Sequence, residues 1–472
     1  MWRRSSHFVT CVRAGARCSL ALLLALPLFG AEPVDWLITA RYVVPMDAAR
    51  SVIEQGAVAV RGDRIVAVGP RAELARRYQP RQTLDRGEAI LTPGLINTHT
   101  HAAMSLLRGI ANDVRLDDWL NKFIFPAESK FVSREFVRQG TELACLEMML
   151  SGTTTFTDMY YFEDEVAAAA KAAGMRGVLG ETVIRFPVAD AASPAEALRY
   201  AEGFIQRYRH DPLIVPAVAP HALYTNADAD LQAARALANK YHVPLLIHLS
   251  ETQKENRDTQ MARGMSPTRV LEGLGVLDGI TVAAHSIWVD ADDLKILERH
   301  HTGLAHCPSS NMMLASGTAP VTQWLGAGVN AGLGTDGPAG SNNDFDLMEE
   351  MDLAAKLQKL STRDPTALSA KQAFAMATIG GAHVLGLEQQ IGSLEAGKRA
   401  DLIAITLEHS TGVPVYDVYA QLVYALKGSD VSDVMVNGRW IVRGHKSLTL
   451  DPALVISRGR EWGRRIQAGL TK

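Results

Sequence analysis

Eight short, β-rich apolar runs, separated by mostly helical stretches, constrain this chain more than any other feature. They lie near Ala89–His101, Thr153–Met159, Arg176–Thr182, Ile214–Pro220, Leu245–Ser250, Ile280–His285, Gly303–Cys307 and Val329–Asp336. Segments such as Glu163–Ala173 and Ala227–Tyr241 carry helical patterning between them. Strands that alternate with helices form parallel sheets, because each helix returns the chain to the same edge. Eight such units over about 300 residues predict an α/β fold, a (β/α)8 TIM barrel.

In that fold the functional groups gather at the carboxyl ends of the strands. Four of the runs end in groups that can bind a metal. The first closes on His99 and His101, the fifth on His248, the sixth on His285 and the eighth on Asp336. Residues i and i+2 of a strand face the same way, so His99 and His101 can aim at one point while Thr100 turns elsewhere. Three histidines and a carboxylate suit one zinc-like divalent ion, with Fe2+ or Mn2+ as alternatives. His99, His101, His248 and Asp336 are the metal candidates. His285 is either a fourth ligand or a base, and Asp336 can serve as ligand and base.

Further candidates follow from the same rim. Glu251 (HLSE) sits where the chain turns over the barrel mouth, in place to shuttle a proton. Glu128 (IFPAE), His221 (VAPH) and Trp119 (DDWL) form a second tier that could touch a substrate; Glu128 could accept two hydrogen bonds from a diol. His306 ends the seventh run and is a weaker candidate for the pocket lining. Gly332-x-Gly334-x-x-Gly337 matches a dinucleotide fingerprint, but Asp336 would then face a pyrophosphate. The glycines are better read as a tight turn that delivers Asp336. Gly392-x-x-x-x-Gly397-Lys398 nearly matches a phosphate loop, but Arg399 replaces the hydroxyl residue and no helix pattern follows.

The barrel region is expected over 93–391. On either side the text changes to short β runs and turns, over 33–92 (GAVAVRGDRIVAVG) and 392–450 (VSDVMVNGRWIVRG). Neither half is large enough to bury a core alone, so the two are expected to pair as one small β-sandwich domain. A helical tail is expected over 451–472. Residues 1–31 read as a leader: Arg3, Arg4, Arg13 and Arg17 precede the apolar stretch Ser19–Gly30, and no acid occurs before Glu32. Export to the periplasm follows if that leader is real, and a cytoplasmic protein if it is not.

Bulk composition removes several classes. The formal net charge of −3 includes the four leader arginines, so the body is more acidic still, which argues against nucleic acid as a partner. No other apolar stretch is long enough to span a bilayer. Four cysteines, two of them in the leader, make no disulfide framework.

PGLINTHTH, HLSE, AAHS, HCPSSN and GLGTDGPAGSNNDFDLMEEM resemble the amidohydrolase superfamily. Within it the chain resembles the 5-methylthioadenosine/S-adenosylhomocysteine deaminases, near the triazine hydrolase group, over about Val34 to Arg443. The stretch from MSLLRGIANDVRLDDWL to the PAE tripeptide carries the likeness to the deaminases. The resemblance implies metal ligation by His99, His101, His248 and Asp336, proton transfer by Glu251 and water orientation by His285. It implies ribose contacts from Glu128, a substrate contact from His221 and an arginine contact for which Arg185 (ETVIRFP) is the candidate. One metal is expected, because Lys171 lies in a helix and no lysine ends a strand to bridge a second. The implied activity is hydrolytic deamination of adenosine-type nucleosides by a homo-oligomer. The alternatives are a triazine, guanine or cytosine aminohydrolase or chlorohydrolase of the same superfamily, and a non-catalytic envelope binding protein.

Overall fold

Every residue of Thr153–Tyr160 (TTTFTDMY) is buried, as a strand covered on both faces must be. The computed structural model describes residues 5–7, 9–10 and 31–470. Most of the expected leader, its apolar stretch Ser19–Gly30 included, lies outside the described residues. Thirteen strands lead up to and through a barrel. They are β1 (Glu32–Val43), β2 (Ile53–Arg61), β3 (Arg64–Pro70), β4 (Tyr78–Asp85), β5 (Ala89–Pro93), β6 (Leu95–Thr100), β7 (Thr153–Tyr160), β8 (Arg176–Val183), β9 (Ile214–Pro220), β10 (Leu245–Leu249), β11 (Thr281–His285), β12 (Gly303–His306) and β13 (Ala331–Leu333). The last eight close in order into a parallel barrel. This is the expected TIM barrel.

Helices cover it, and their starts are written locally. Ser133, Ser193, Ser266 and Asp290 each accept a backbone N–H in the first turn of the helix that follows, the ordinary N-cap arrangement.

The seam between β13 and β6 has only one ladder pair, Leu333 with Asn97. A backbone bridge between Thr100 and Asp336, in which the Asp336 N–H donates to the His99 carbonyl at 3.0 Å, continues it, and side chains reinforce the seam. Asn97 Nδ2 donates to Thr335 Oγ1 at 2.8 Å, and its Oδ1 accepts from the Thr335 N–H at 3.1 Å. Thr98 Oγ1 donates to the Leu333 carbonyl at 2.8 Å. Close approach demands glycine here: a Cβ on Gly334 would lie 2.9 Å from His99 Cβ. The expectation that these glycines supply the turn needs correcting. They supply room, and Asp336 itself takes the left-handed backbone, at φ +63°.

The single run expected over Ala89–His101 is two strands. Gly94 breaks it, donating its N–H to the Asp401 carbonyl, and a Cβ there would meet Thr154 at 2.1 Å. β5 belongs to the small sheet and β6 to the barrel. Four later strands, β14 (Leu402–Thr406), β15 (Val431–Val436), β16 (Arg439–Arg443) and β17 (Lys446–Ser447), complete that sheet. β14 pairs antiparallel with β5, so segments from both ends of the chain share one nine-stranded sheet. The sheet curls until Trp36 of β1 meets Trp440 of β16 edge-on at 5.7 Å. Its own core includes Ile38, Val43, Leu91, Leu402 and Met435; Ile90, Ile403 and Ile405 join the barrel's core. A buried ion pair, Arg176 with Asp401 at 3.0 Å, ties the sheet to the amino end of β8. The helix Pro452–Leu470 packs Trp462 against Phe136 at 5.3 Å. Among the described residues, no helix is long and apolar enough to cross a membrane.

Candidate metal centre

Four imidazoles and one carboxylate meet at the carboxyl rim. One ring nitrogen each from His99, His101 and His248 lie within 4.8 Å of one another, and so do single ligand atoms of His99, His285 and Asp336. Ring centroids of His99 lie 4.9 Å from those of His101 and His248 and 5.5 Å from that of His285. Asp336 Oδ1 lies 3.3 Å from Nε2 of both His99 and His101. Thr100 turns the other way, as the strand period requires, and donates to Asp158 at 2.7 Å.

Neighbouring groups fix which nitrogen of each ring is free. Nδ1 of His101 pairs with the Met159 carbonyl at 2.8 Å, Nδ1 of His248 with the His221 carbonyl at 2.7 Å, and Nδ1 of His285 with Asn311 Oδ1 at 3.0 Å. An Nδ1–H spent this way leaves the Nε2 lone pair for the centre. Nε2 of His99 is buried and, despite its 3.3 Å approach to Asp336, makes no hydrogen bond among the described residues. Buried polar atoms without partners are rare in folded proteins. This orphan, with the three oriented rings, fits a cation bound between the imidazoles and Asp336.

The charges point the same way. Burial alone would raise the carboxyl of Asp336, but His101 and His99 outweigh it and hold it well below the carboxylate range. Burial opposes a proton on His101, yet Asp336 and Asp158 lift the ring to about 9. Burial drives His99 down to about 4 and His248 well below its ordinary value. The buried aspartate therefore draws a positive charge onto His101 while His99 and His248 are held neutral. Ser310 Oγ donates to Asp336 Oδ2 at 2.6 Å and steadies the other oxygen. Left-handed backbone at His285 (φ +68°), Ser250 (+49°) and Asp336 (+63°) marks the rim. Non-glycine residues hold such angles only where surrounding structure fixes them.

Glu251 follows β10 and is buried. Its carboxylate has no hydrogen-bond partner among the described residues, and burial raises it. Glu255 holds the turn, accepting the N–H groups of Ser250 at 3.2 Å and Glu251 at 2.9 Å. A cavity opens beside the centre, lined by His101, His221, Glu128 and Trp119 with Met104 and Phe125. Glu128 accepts from the Tyr160 hydroxyl at 2.7 Å and is pushed up to about 7 by burial. His221 pairs through Nδ1 with Thr225 Oγ1 at 3.0 Å, and its ring lies 4.7 Å from that of His248. Trp119 is in the wall, but its indole N–H is already given to the Ala339 carbonyl at 2.9 Å.

Two further candidates lie outside the cavity lining. Arg185 stands exposed on the rim beyond β8 and outside the cavity lining; its backbone N–H donates to the Thr225 carbonyl. His306 turns toward Trp324, ring centroids 5.8 Å apart, and not toward the cavity. Sequence reasoning missed Ser310, Asn311, Glu255 and Tyr160. Tyr160 ends β7, so the strand-end rule could have found it.

An eight-stranded parallel barrel with imidazoles and a carboxylate gathered at its carboxyl rim defines a class: barrel hydrolases that work around a metal ion. The sequence matches the amidohydrolase family over residues 90–441 and an imidazolonepropionase-like composite domain of bacteria over residues 56–78. The chain belongs to the amidohydrolase family. A Thermodesulfovibrio yellowstonii protein named 5-methylthioadenosine/S-adenosylhomocysteine deaminase is 44% identical over 434 residues, 92% of this chain and 99% of that protein. One named 5-methylthioadenosine/S-adenosylhomocysteine deaminase 1, from Syntrophus aciditrophicus, is 43% identical over 93% of this chain and 99% of its own length. Among solved structures, an adenosine deaminase from Xanthomonas campestris with bound zinc superimposes with a TM-score of 0.91 at 39% identity. That match covers 93% of this chain and all of the other.

Asn311 orients His285 without facing the cavity. Asn311→Ala should lower kcat about 10–100-fold, as removal of an orienting partner does, with bound zinc unchanged by elemental analysis. Unchanged kcat would show that His285 does not need the contact.

Proposed function

We propose that this chain is a metal-dependent hydrolytic deaminase of adenosine-type nucleosides, 5′-methylthioadenosine, S-adenosylhomocysteine and adenosine among them. The carrying observation is one rim that gathers the His/Asp centre, an unpaired buried Glu251 and a cavity walled by Glu128. The names of the relatives at 43–44% identity support the same substrate class.

His99, His101, His248 and Asp336 would hold the ion, and their donor set of imidazoles with one carboxylate suits zinc. Bound there, zinc supplies a Lewis acid that brings the pKa of water from 15.7 to about 7. His285, its tautomer set by Asn311, orients the attacking water, and Asp336 accepts its proton. The water oxygen adds to the amino-bearing carbon of the purine. Glu251, raised by burial and so able to carry a proton, protonates the adjacent ring nitrogen. Asp336 then passes its proton to the amino group, the C–N bond breaks and ammonia leaves, while the added hydroxyl returns a proton to Glu251 and the inosine analogue remains. Glu128, beside the cavity and steadied by Tyr160, accepts hydrogen bonds from the ribose diol, and His221 contacts the substrate from the opposite wall. With residues 1–31 read as an export leader, this activity lies in the periplasm.

Glu251→Gln should retain zinc and lose about 10²–10⁴-fold in kcat, the usual contribution of a positioned acid, measured by ammonia release. Wild-type turnover in that variant would remove Glu251 from the proton path. Glu128→Ala should raise KM for ribonucleosides about tenfold or more, the scale of a charged hydrogen bond lost, and leave free bases unaffected. Equal effects on both would favour a flat-base substrate such as a triazine or guanine.

A further inference from the structure

The cavity wall that carries Glu128 is an irregular helix. It runs as a short α turn (Leu116–Asp118), a π-helical turn (Trp119–Ile124) and a second α segment (Phe125–Phe131). Two left-handed residues, Gly109 (φ +73°) and Asp113 (φ +60°), precede it. π turns interrupt the regular hydrogen-bond ladder and recur at functional sites. Such a wall needs an anchor outside itself.

That anchor is the loop that begins with Asp336. Trp119 spans the gap and gives its indole N–H to the Ala339 carbonyl at 2.9 Å. Gly340 lies directly beneath the wall's start: a Cβ there would come within 1.8 Å of the Ala111 carbonyl oxygen and 3.2 Å of Trp119 Nε1. Asn343 Nδ2 donates to Asn112 Oδ1 at 3.1 Å and makes a third tie. The same loop touches the metal-centre side. A Cβ on Gly337 would meet His101 and Met104 at 3.3 Å. Asn342 secures the loop from behind, donating to the Thr335 carbonyl at 2.9 Å and Glu350 Oε1 at 3.0 Å. Within eight residues, 336–343, the loop therefore supplies the centre's carboxylate and the seat of the wall.

We propose that Trp119, Ala111 and the Ala339–Gly340 backbone form a latch that seats the Glu128-bearing wall on the Asp336 loop. Trp119 is then a positioning residue, and not a hydrogen-bonding contact to substrate. Its N–H is spent inside the protein, and the effect reaches substrate through Glu128. Latching makes the diol-binding wall and the metal-centre carboxylate adopt their working positions together, because one short loop fixes both. Loss of the latch leaves the centre built and lets the wall open on its left-handed hinge.

Two variants far apart in sequence test this in the full-length, zinc-loaded protein. Trp119→Phe keeps the ring bulk and removes the donor; Gly340→Ala pushes the Ala111 carbonyl away and does not line the cavity. Hydrogen–deuterium exchange should rise about tenfold across residues 110–131 in both, the scale expected when one buried hydrogen bond is lost, with zinc content close to wild type in both and Tm close to wild type in Trp119→Phe; Gly340→Ala, which forces an L side chain onto φ +106°, should lose Tm as well. The kinetic arm rests on the nucleoside reading: KM for ribonucleosides should rise about tenfold with kcat within threefold, because the chemical groups stay in place. Unchanged exchange over 110–131 in Trp119→Phe overturns the latch, as does an equal loss of kcat with KM unchanged. Should Gly340→Ala fail to fold, Trp119→Phe decides alone. Faster exchange without any nucleoside turnover in the wild type would leave the latch standing and defeat the function instead.

Discussion

One buried carboxylate organises this molecule. Asp336 lies under the carboxyl rim with two imidazole nitrogens 3.3 Å from a single oxygen and Ser310 on the other. An uncompensated charge at such a position costs several kcal/mol, so the surroundings must answer it with positive charge. Against burial, Asp336 lifts the ring of His101 to about 9; a divalent cation answers the charge better and also satisfies the orphaned Nε2 of His99. The features around Asp336 serve its placement. Gly334 lets β13 press against β6, the Asp336 N–H bonds the His99 carbonyl, Asn97 and Thr335 reinforce the seam, and the left-handed turn at Asp336 aims it inward.

Stability and chemistry sit at opposite ends of the barrel. At the amino end, the Arg176–Asp401 pair joins β8 to the small sheet, and β5 and β14 complete that sheet from distant parts of the chain. At the carboxyl end, polar groups crowd together, several in strained backbone. The strand interiors between are buried and mostly apolar or β-branched, with Asp158 and Glu181 as buried exceptions. The rigid middle allows the strained rim to persist.

Much of this was legible in the sequence because the signals were periodic or local. The eight apolar runs announced the barrel, and strand ends placed His99, His101, His248, His285 and Asp336 on one rim before any coordinates. The split at Gly94 was not legible, since an apolar run does not say which of two sheets each half joins. Ser310 and Asn311 were in view as part of HCPSSN, but a short polar residue after a strand carries no mark of the side chain it will orient. His306 faces Trp324 and not the cavity, because a strand end in the sequence does not fix which way its last side chain points. Trp119, a candidate for touching substrate, lines the cavity; that its N–H faces Ala339 depends on a contact 220 residues away, which no local pattern encodes.

Metal content measured on the purified chain tests the central claim most directly. Elemental analysis of wild-type protein after zinc loading and desalting should give one zinc per chain, and His248→Ala, which removes a ring from the middle of the cluster, should lose most of it while remaining folded by circular dichroism. Full zinc retention in a folded His248→Ala chain, or none in the wild type, would contradict the convergence of these strand ends on a single ion.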